Sequence, residues 1–148
     1  MSVTYILTAL RNLVYERAEG CCEYCLISEA VSFVKHQIDH IIAEKHGGQT
    51  VEENLALSCT ICNKYKGSDI ASLIPETNEL IRFYNPRVDR WSKHFRLNGV
   101  VIEPLTDIGE ATVRILQVNH DDQILERQVL RQRGRYPSQS ALLLITEH

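Results

Sequence analysis

No apolar run in this sequence approaches the length needed to cross a bilayer. The opening stretch, MSVTYILTALRNLVYERAEG, lacks a basic leader and a small-residue cleavage motif. The expected setting is therefore a reducing cytoplasm, with no membrane partner. Net charge is nearly absent too, at −3 over 148 residues. That excludes nucleic-acid binding driven by bulk positive charge, while leaving room for a local basic face. There is no internal repeat and no low-complexity tract. What remains, 44% apolar and 24% charged residues, is ordinary for a globular chain. The length suits one domain with a real core, or one domain with an extension.

Periodicity gives a coarse outline. Ile6, Leu7, Leu10, Leu13, Val14 and Ala18 recur at helical spacing, which predicts a helix over residues 4–19 stopped by Gly20. VSFVKHQI, residues 31–38, is rich in β-branched and aromatic residues and predicts a strand. HGGQT reads as a turn, and CNKYKGSD as the start of a short helix. The stretch IPETNELIRFYNPR, broken by Pro75 and Pro86, reads as irregular. GVVIEPL is a short strand candidate. Thr106 can cap a helix over 107–118, and a second helix is expected over 121–133. The apolar tail ALLLITEH carries no clear signal. The fold class is α+β.

Five cysteines in a reducing compartment do not make a disulfide framework. Four of them fall in two C-x-x-C pairs, Cys22–Cys25 and Cys59–Cys62. Such turns point both sulfurs at one ion, and two turns supply the four thiolates of a tetrahedral zinc. Buried cysteines acting as small hydrophobes explain neither the repeated spacing nor the polar residues between them. A closed four-sulfur site has no open coordination position, so the zinc is expected to be structural. Cys21 is the odd thiol. Cys21-x-x-x-Cys25 is a possible ligand pair, but Cys22 matches the spacing of the second pair.

Between the pairs the order is strand, DHI, a Gly-Gly turn, NLALSC, then CNKYKG. This combination resembles the HNH endonuclease family, whose fold is a ββα-metal finger. The resemblance covers roughly residues 20–68 and rests on CEYC, DHIIAEKHGG, NLALSC and CNKYKG. Many members carry histidine where this chain has Asn63, and asparagine is an active variant there. The resemblance implies His40 as general base, and histidine is the side chain that titrates nearest neutral pH. It implies Asp39 and Asn63 as oxygen donors to a catalytic Mg²⁺ or Mn²⁺. It assigns Asn54 to backbone hydrogen bonds that hold the histidine-bearing loop. Side chains alternate along a strand, so Asp39 and His40 converge on one phosphate only if the strand bends at its end. Bland alternatives exist for each. Asp39 can form a turn, His40 can pack in a strand, and Asn63 can cap a helix. His36 and His46 lie nearby and are more simply surface histidines.

Lys64 and Lys66 flank the proposed metal helix and are candidate phosphate contacts. Farther on, YNPRVDRWSKHF sets Arg87 and Arg90 among aromatic residues. Arg87 and Arg90 are further candidate DNA contacts, while Trp91 and Phe95 are expected to pack. Residues 1–74 are expected to hold the finger and its N-terminal helix. Residues 75–148 form an extension packed on it in one compact domain. The function expected is a metal-dependent endonuclease cutting DNA, acting as monomer or homodimer. The alternatives are a zinc-stapled nucleic-acid-binding module without catalysis and a protein-interaction domain that uses zinc only to fold.

Overall fold

The computed structural model describes residues 5–146. Helix α1 spans Thr8–Ala18 and buries Val14 and Ala18, one turn apart, against Leu55 and Leu57. It begins later than expected; position 4 lies outside the described residues. Its end falls where Gly20 predicted it. Glu19 and Gly20 both adopt left-handed backbone (φ 50° and 73°), and the Gly20 N–H donates to the Tyr15 carbonyl.

Strand β1 (Gln37–His40) pairs antiparallel with β2 (Leu55–Ser58), with Asp39 opposite Ala56 and His40 opposite Leu55. Cys59 then caps helix α2 (Thr60–Lys66) through its sulfur, which accepts from the Cys62 N–H. These three elements make the expected ββα finger, and the α+β class holds for the chain. The expected strand over 31–38 is corrected to 37–40. Glu29–Val31 instead form a 3₁₀ turn capped by Ser28, and Phe33 and Val34 stand in solvent, Phe33 fully so at 108% exposure. The four residues of β2 are taken up by 37–40, so residues 32–36 have no partner edge.

The stretch expected to be irregular holds a hairpin, β3 (Ala71–Ile74) with β4 (Glu79–Arg82). Pro75 sits in its turn rather than breaking a strand. The Ile74 carbonyl accepts from Thr77 and Asn78, and Asn78 takes the left-handed conformation the turn requires. Helix α3 (Trp91–His94) runs into a second hairpin, β5 (Phe95–Asn98) with β6 (Val101–Pro104). Helix α4 (Asp107–Leu116) starts at the Thr106 cap, whose hydroxyl accepts from the Gly109 N–H. Helices α5 (Asp121–Gln132) and α6 (Gln139–Thr146) complete the described chain, so most of the uncalled tail is helical. Residues 147 and 148 of that tail lie outside the described residues.

One apolar cluster runs through both halves. It joins the four paired cysteines, Tyr24 and Leu26 to Tyr84, Trp91, Phe95, Ile102, Leu116 and Tyr136. Among the described residues no helix is long and apolar enough to cross a membrane.

Candidate active site and metal centre

The two cysteine turns are built alike. In each, the second cysteine's N–H points at the first cysteine's sulfur, Cys25 to Cys22 at 3.5 Å and Cys62 to Cys59 at 3.4 Å. Residues between the cysteines curl so that both sulfurs of each turn face inward. The β1–β2 hairpin then brings the turns together. All four Sγ atoms lie within 4.8 Å of one another, buried, with Cys25 and Cys59 3.7 Å apart. A tetrahedral zinc with Zn–S bonds of about 2.3 Å sets its sulfurs roughly 3.8 Å apart, so the cluster fits that ion. Burial opposes ionising Cys22, but hydrogen bonds from the other three thiols bring it well below the ordinary thiol range. The same sharing drives Cys25 and Cys62 well above it. Four sulfurs cannot all be thiolates here without a cation among them. Cys21 is not part of the cluster. Its sulfur lies 3.6 Å from the Ser138 hydroxyl, and burial pushes its thiol up.

His40 ends β1 with its Nε2 2.9 Å from the Thr50 hydroxyl. The loop between them is clipped by Asn54, whose side chain accepts from the Ile42 N–H and donates to the Ile42 and Gln49 carbonyls at 2.9–3.0 Å. Gly48 is needed for this closure. A Cβ there would sit 1.7 Å from the Ile42 carbonyl oxygen and 2.8 Å from the Asn54 side-chain nitrogen. The expected turn glycine is thus a close-approach glycine, with chain rather than ligand against it. Thr50 gave no signal in the sequence. Only the path of the loop places its hydroxyl on the imidazole.

Asp39 faces the other side of β1. It is 5% exposed, and both its oxygens are engaged. Tyr24 donates to Oδ2 at 2.9 Å, and the Lys66 ammonium lies 3.1 Å from Oδ2 and 3.3 Å from Oδ1. Lys66 also donates to the His40 and Ile41 carbonyls, bolting α2 onto β1. Burial pushes the Asp39 carboxyl up despite the ammonium beside it. Lys66, 1% exposed, is therefore corrected from a phosphate contact to the buried partner of Asp39. Asn63, three residues earlier on α2, donates to the Gln37 side chain. The bend expected at the end of β1 comes after His40, at residues 41–42. Asp39 and His40 keep the strand alternation, and no hydrogen bond among the described residues joins Asp39, His40 and Asn63 to one another. A carboxylate and an amide oxygen suit Mg²⁺ or Mn²⁺ by type. In this arrangement the donors do not fit such an ion, because an ammonium already occupies the Asp39 oxygens.

The other candidate contacts divide. Lys64 and Arg90 are exposed, and the Lys64 ammonium lies 5.4 Å from the ring of Tyr65, which is also exposed. Arg87, partly buried, is drawn inward to a salt bridge with Glu23. Glu23 in turn accepts from the Leu57 N–H, so this pair ties residues after β4 to β2. Trp91 and Phe95 pack as expected, 5.1 Å between ring centres, with the Trp91 N–H donating to the Tyr24 carbonyl at 2.9 Å. His36 is buried rather than on the surface, its Nε2 2.9 Å from the Ile27 carbonyl. His46 is exposed.

A family model described as HNH endonuclease matches residues 22–69, from the first paired cysteine to just beyond α2. No curated protein and no solved structure matches the chain.

Proposed function

We propose, from the match of residues 22–69 to the HNH endonuclease family model, that this protein hydrolyses phosphodiester bonds in DNA, with His40 as the general base. The observation that carries this reading is the mounting of His40 inside that stretch. The Thr50 hydroxyl holds one ring nitrogen, and Asn54 fixes the loop that carries Thr50. When Nε2–H donates to Thr50, the lone pair on Nδ1 is left to take a proton from an attacking water. A ring held in one orientation avoids the entropic cost of finding it during reaction.

The zinc staple sets the geometry without entering the chemistry. Asp39 and Asn63, the expected donors to a catalytic Mg²⁺ or Mn²⁺, are not free to hold one as they stand, so the proposed step is carried by His40 alone. Such an ion requires the Lys66 ammonium to leave Asp39. Lys64 and Arg90 supply exposed positive charge for the backbone, which fixes position without reading sequence.

The occupied Asp39 oxygens favour a second reading, a zinc-stapled module that binds nucleic acid without cutting it. Supercoiled plasmid incubated with the zinc-loaded protein separates the two. The first reading expects nicked or linear product with added Mg²⁺ or Mn²⁺ and none with chelator at a concentration that spares the zinc. Retarded but intact plasmid under every divalent ion favours the second.

A further inference from the structure

The residues after the finger bury a cation that no acid among the described residues matches. Arg127, on α5, is 2% exposed. Among the described residues no carboxylate pairs with it. Its Nε donates to the Val100 carbonyl at 2.8 Å and a terminal nitrogen to the Asn119 side-chain oxygen at 3.1 Å. Both acceptors are neutral. An uncompensated buried guanidinium is costly, so an opposing charge is to be sought across the core.

The sulfur cluster supplies one. A cavity of about 320 Å³ is lined by Arg127 from α5 and by Cys25, Cys59 and Cys62 from the two turns. Tyr136 spans the same junction. Its ring lies 5.8 Å from the guanidinium, and its hydroxyl donates to the Cys25 carbonyl at 2.8 Å. Four thiolates around one zinc leave a centre about two units negative. Ile27, Ile61, Leu116 and Val118 also line the cavity, and Arg127 and the three cysteines are themselves buried, so their charges are screened less than those of exposed groups. Glu126 also borders the cavity but is exposed, and water screens its charge.

We propose that Arg127 is the counter-charge of the zinc–thiolate centre, a positioning residue that the C-terminal extension lends to the finger. It donates no hydrogen bond to a sulfur. It acts by lowering the cost of gathering four thiolates in a buried site, and so raises zinc affinity. The inference depends on the metal at the four sulfurs and is independent of whether the protein cuts DNA.

Zinc transfer from the full-length, zinc-loaded protein to a chromophoric chelator tests it. Arg127→Gln keeps a donor and most of the volume but removes the charge. Arg127→Lys keeps the charge and loses the planar fork. The expected result is that Arg127→Gln yields zinc at least about tenfold more readily than the parent, the scale on which outer-shell partners act. Arg127→Lys should stay close to the parent, even though both variants lose the fork's bonds to Val100 and Asn119. A Gln variant that cannot be recovered with zinc, beside a Lys variant that can, is the extreme form of the expected result. Equal retention by the Gln variant and the parent overturns the proposal. So does equal loss by both variants, which would assign Arg127 to its hydrogen bonds alone.

Discussion

Residues 22–69 are held by four thiols, a buried Lys66–Asp39 pair and side chains bonded to backbone, as with Asn54. Residues 70–146 are held by packed rings and aliphatic side chains, with Tyr84 edge-on to Tyr24 and Phe95 and with Ile102 and Leu116 fully buried. The finger's strands and helix are each only four to seven residues long, too short to bury much apolar surface. Its shape therefore depends on directional bonds between particular residue types, a fragile arrangement that holds side chains in fixed positions. The later residues obtain stability from area, through three further helices of eight to twelve residues that cover the sulfur cluster. The finger holds the sulfur cluster and His40, and the residues after it pack over that cluster.

The largest expected effect falls on the metal. Replacing Cys62 by Ser should abolish the cooperative thermal transition seen by circular dichroism, because structural zinc contributes on the order of 10 kcal/mol in comparable fingers. The sulfurs sit in the core shared with the later residues, so the whole chain should lose its transition. A melt confined to the finger, with the remaining helices intact, would show that the two regions fold independently.

Next comes Lys66→Met. Removing one partner of a buried ion pair costs about 3–5 kcal/mol, which urea unfolding would register as a large fall in midpoint. Lys64→Met, two positions away and exposed, should leave the midpoint unchanged and weaken DNA binding, with a shallower salt dependence. If the two lysines behave alike, the assignment of one to the interior and the other to solvent fails.

Two glycines sharpen the contrast. Gly48→Ala drives a Cβ into the Ile42 carbonyl, and Gly109→Ala drives one to within 2.2 Å of the His94 carbonyl, where α4 packs on α3. Each should lose roughly 1–3 kcal/mol by overpacking. Only Gly48→Ala should also slow cleavage, since it displaces the loop that holds His40. Comparable slowing by Gly109→Ala would show that the later residues shape the site directly.

The smallest effect is with pH. Arg82 holds the Asp89 carboxyl below the usual carboxylate range, and burial holds the His94 imidazole below the ordinary histidine range. In both cases the unfolded chain binds its proton first as pH falls. Stability from His94 is present above the ordinary histidine value and is lost as pH drops towards its lowered one. The Asp89 contribution persists lower, fading only as pH falls through its depressed value. Arg82 is half exposed, so the Asp89 step amounts to about 1 kcal/mol or less after screening. Urea midpoints measured from neutral to acid pH should show it, and Asp89→Asn should remove it.

Much of the finger was legible because a four-sulfur cluster and the family pattern both need specific side chains at set spacings. Cys22, Cys25, Cys59 and Cys62 announce their cluster, and DHI with NLALSC and CNKYKG announces the ββα frame. The helix following Thr106 was legible for another reason, a cap followed by an apolar stripe. Lys66 was misread because its chain position, beside Lys64 on a short helix, says nothing about which face meets β1. Thr50 was missed because a hydroxyl bonded to an imidazole ten residues away leaves no local pattern. Phe33 and Val34 carried strand propensity without an edge to pair with, and propensity yields where tertiary partners are absent. The hairpin around Pro75 was missed because the proline stands in the turn, where it does no harm to the ladder.

The most direct measurement compares cleavage by His40→Ala with that of the parent, both assayed on supercoiled plasmid with Mn²⁺ after zinc content and urea midpoint are found equal. Nicking should fall by two to four orders of magnitude, roughly the contribution of a positioned general base, with DNA binding retained. Cutting at the parental rate by the zinc-loaded, folded variant would contradict that role for His40.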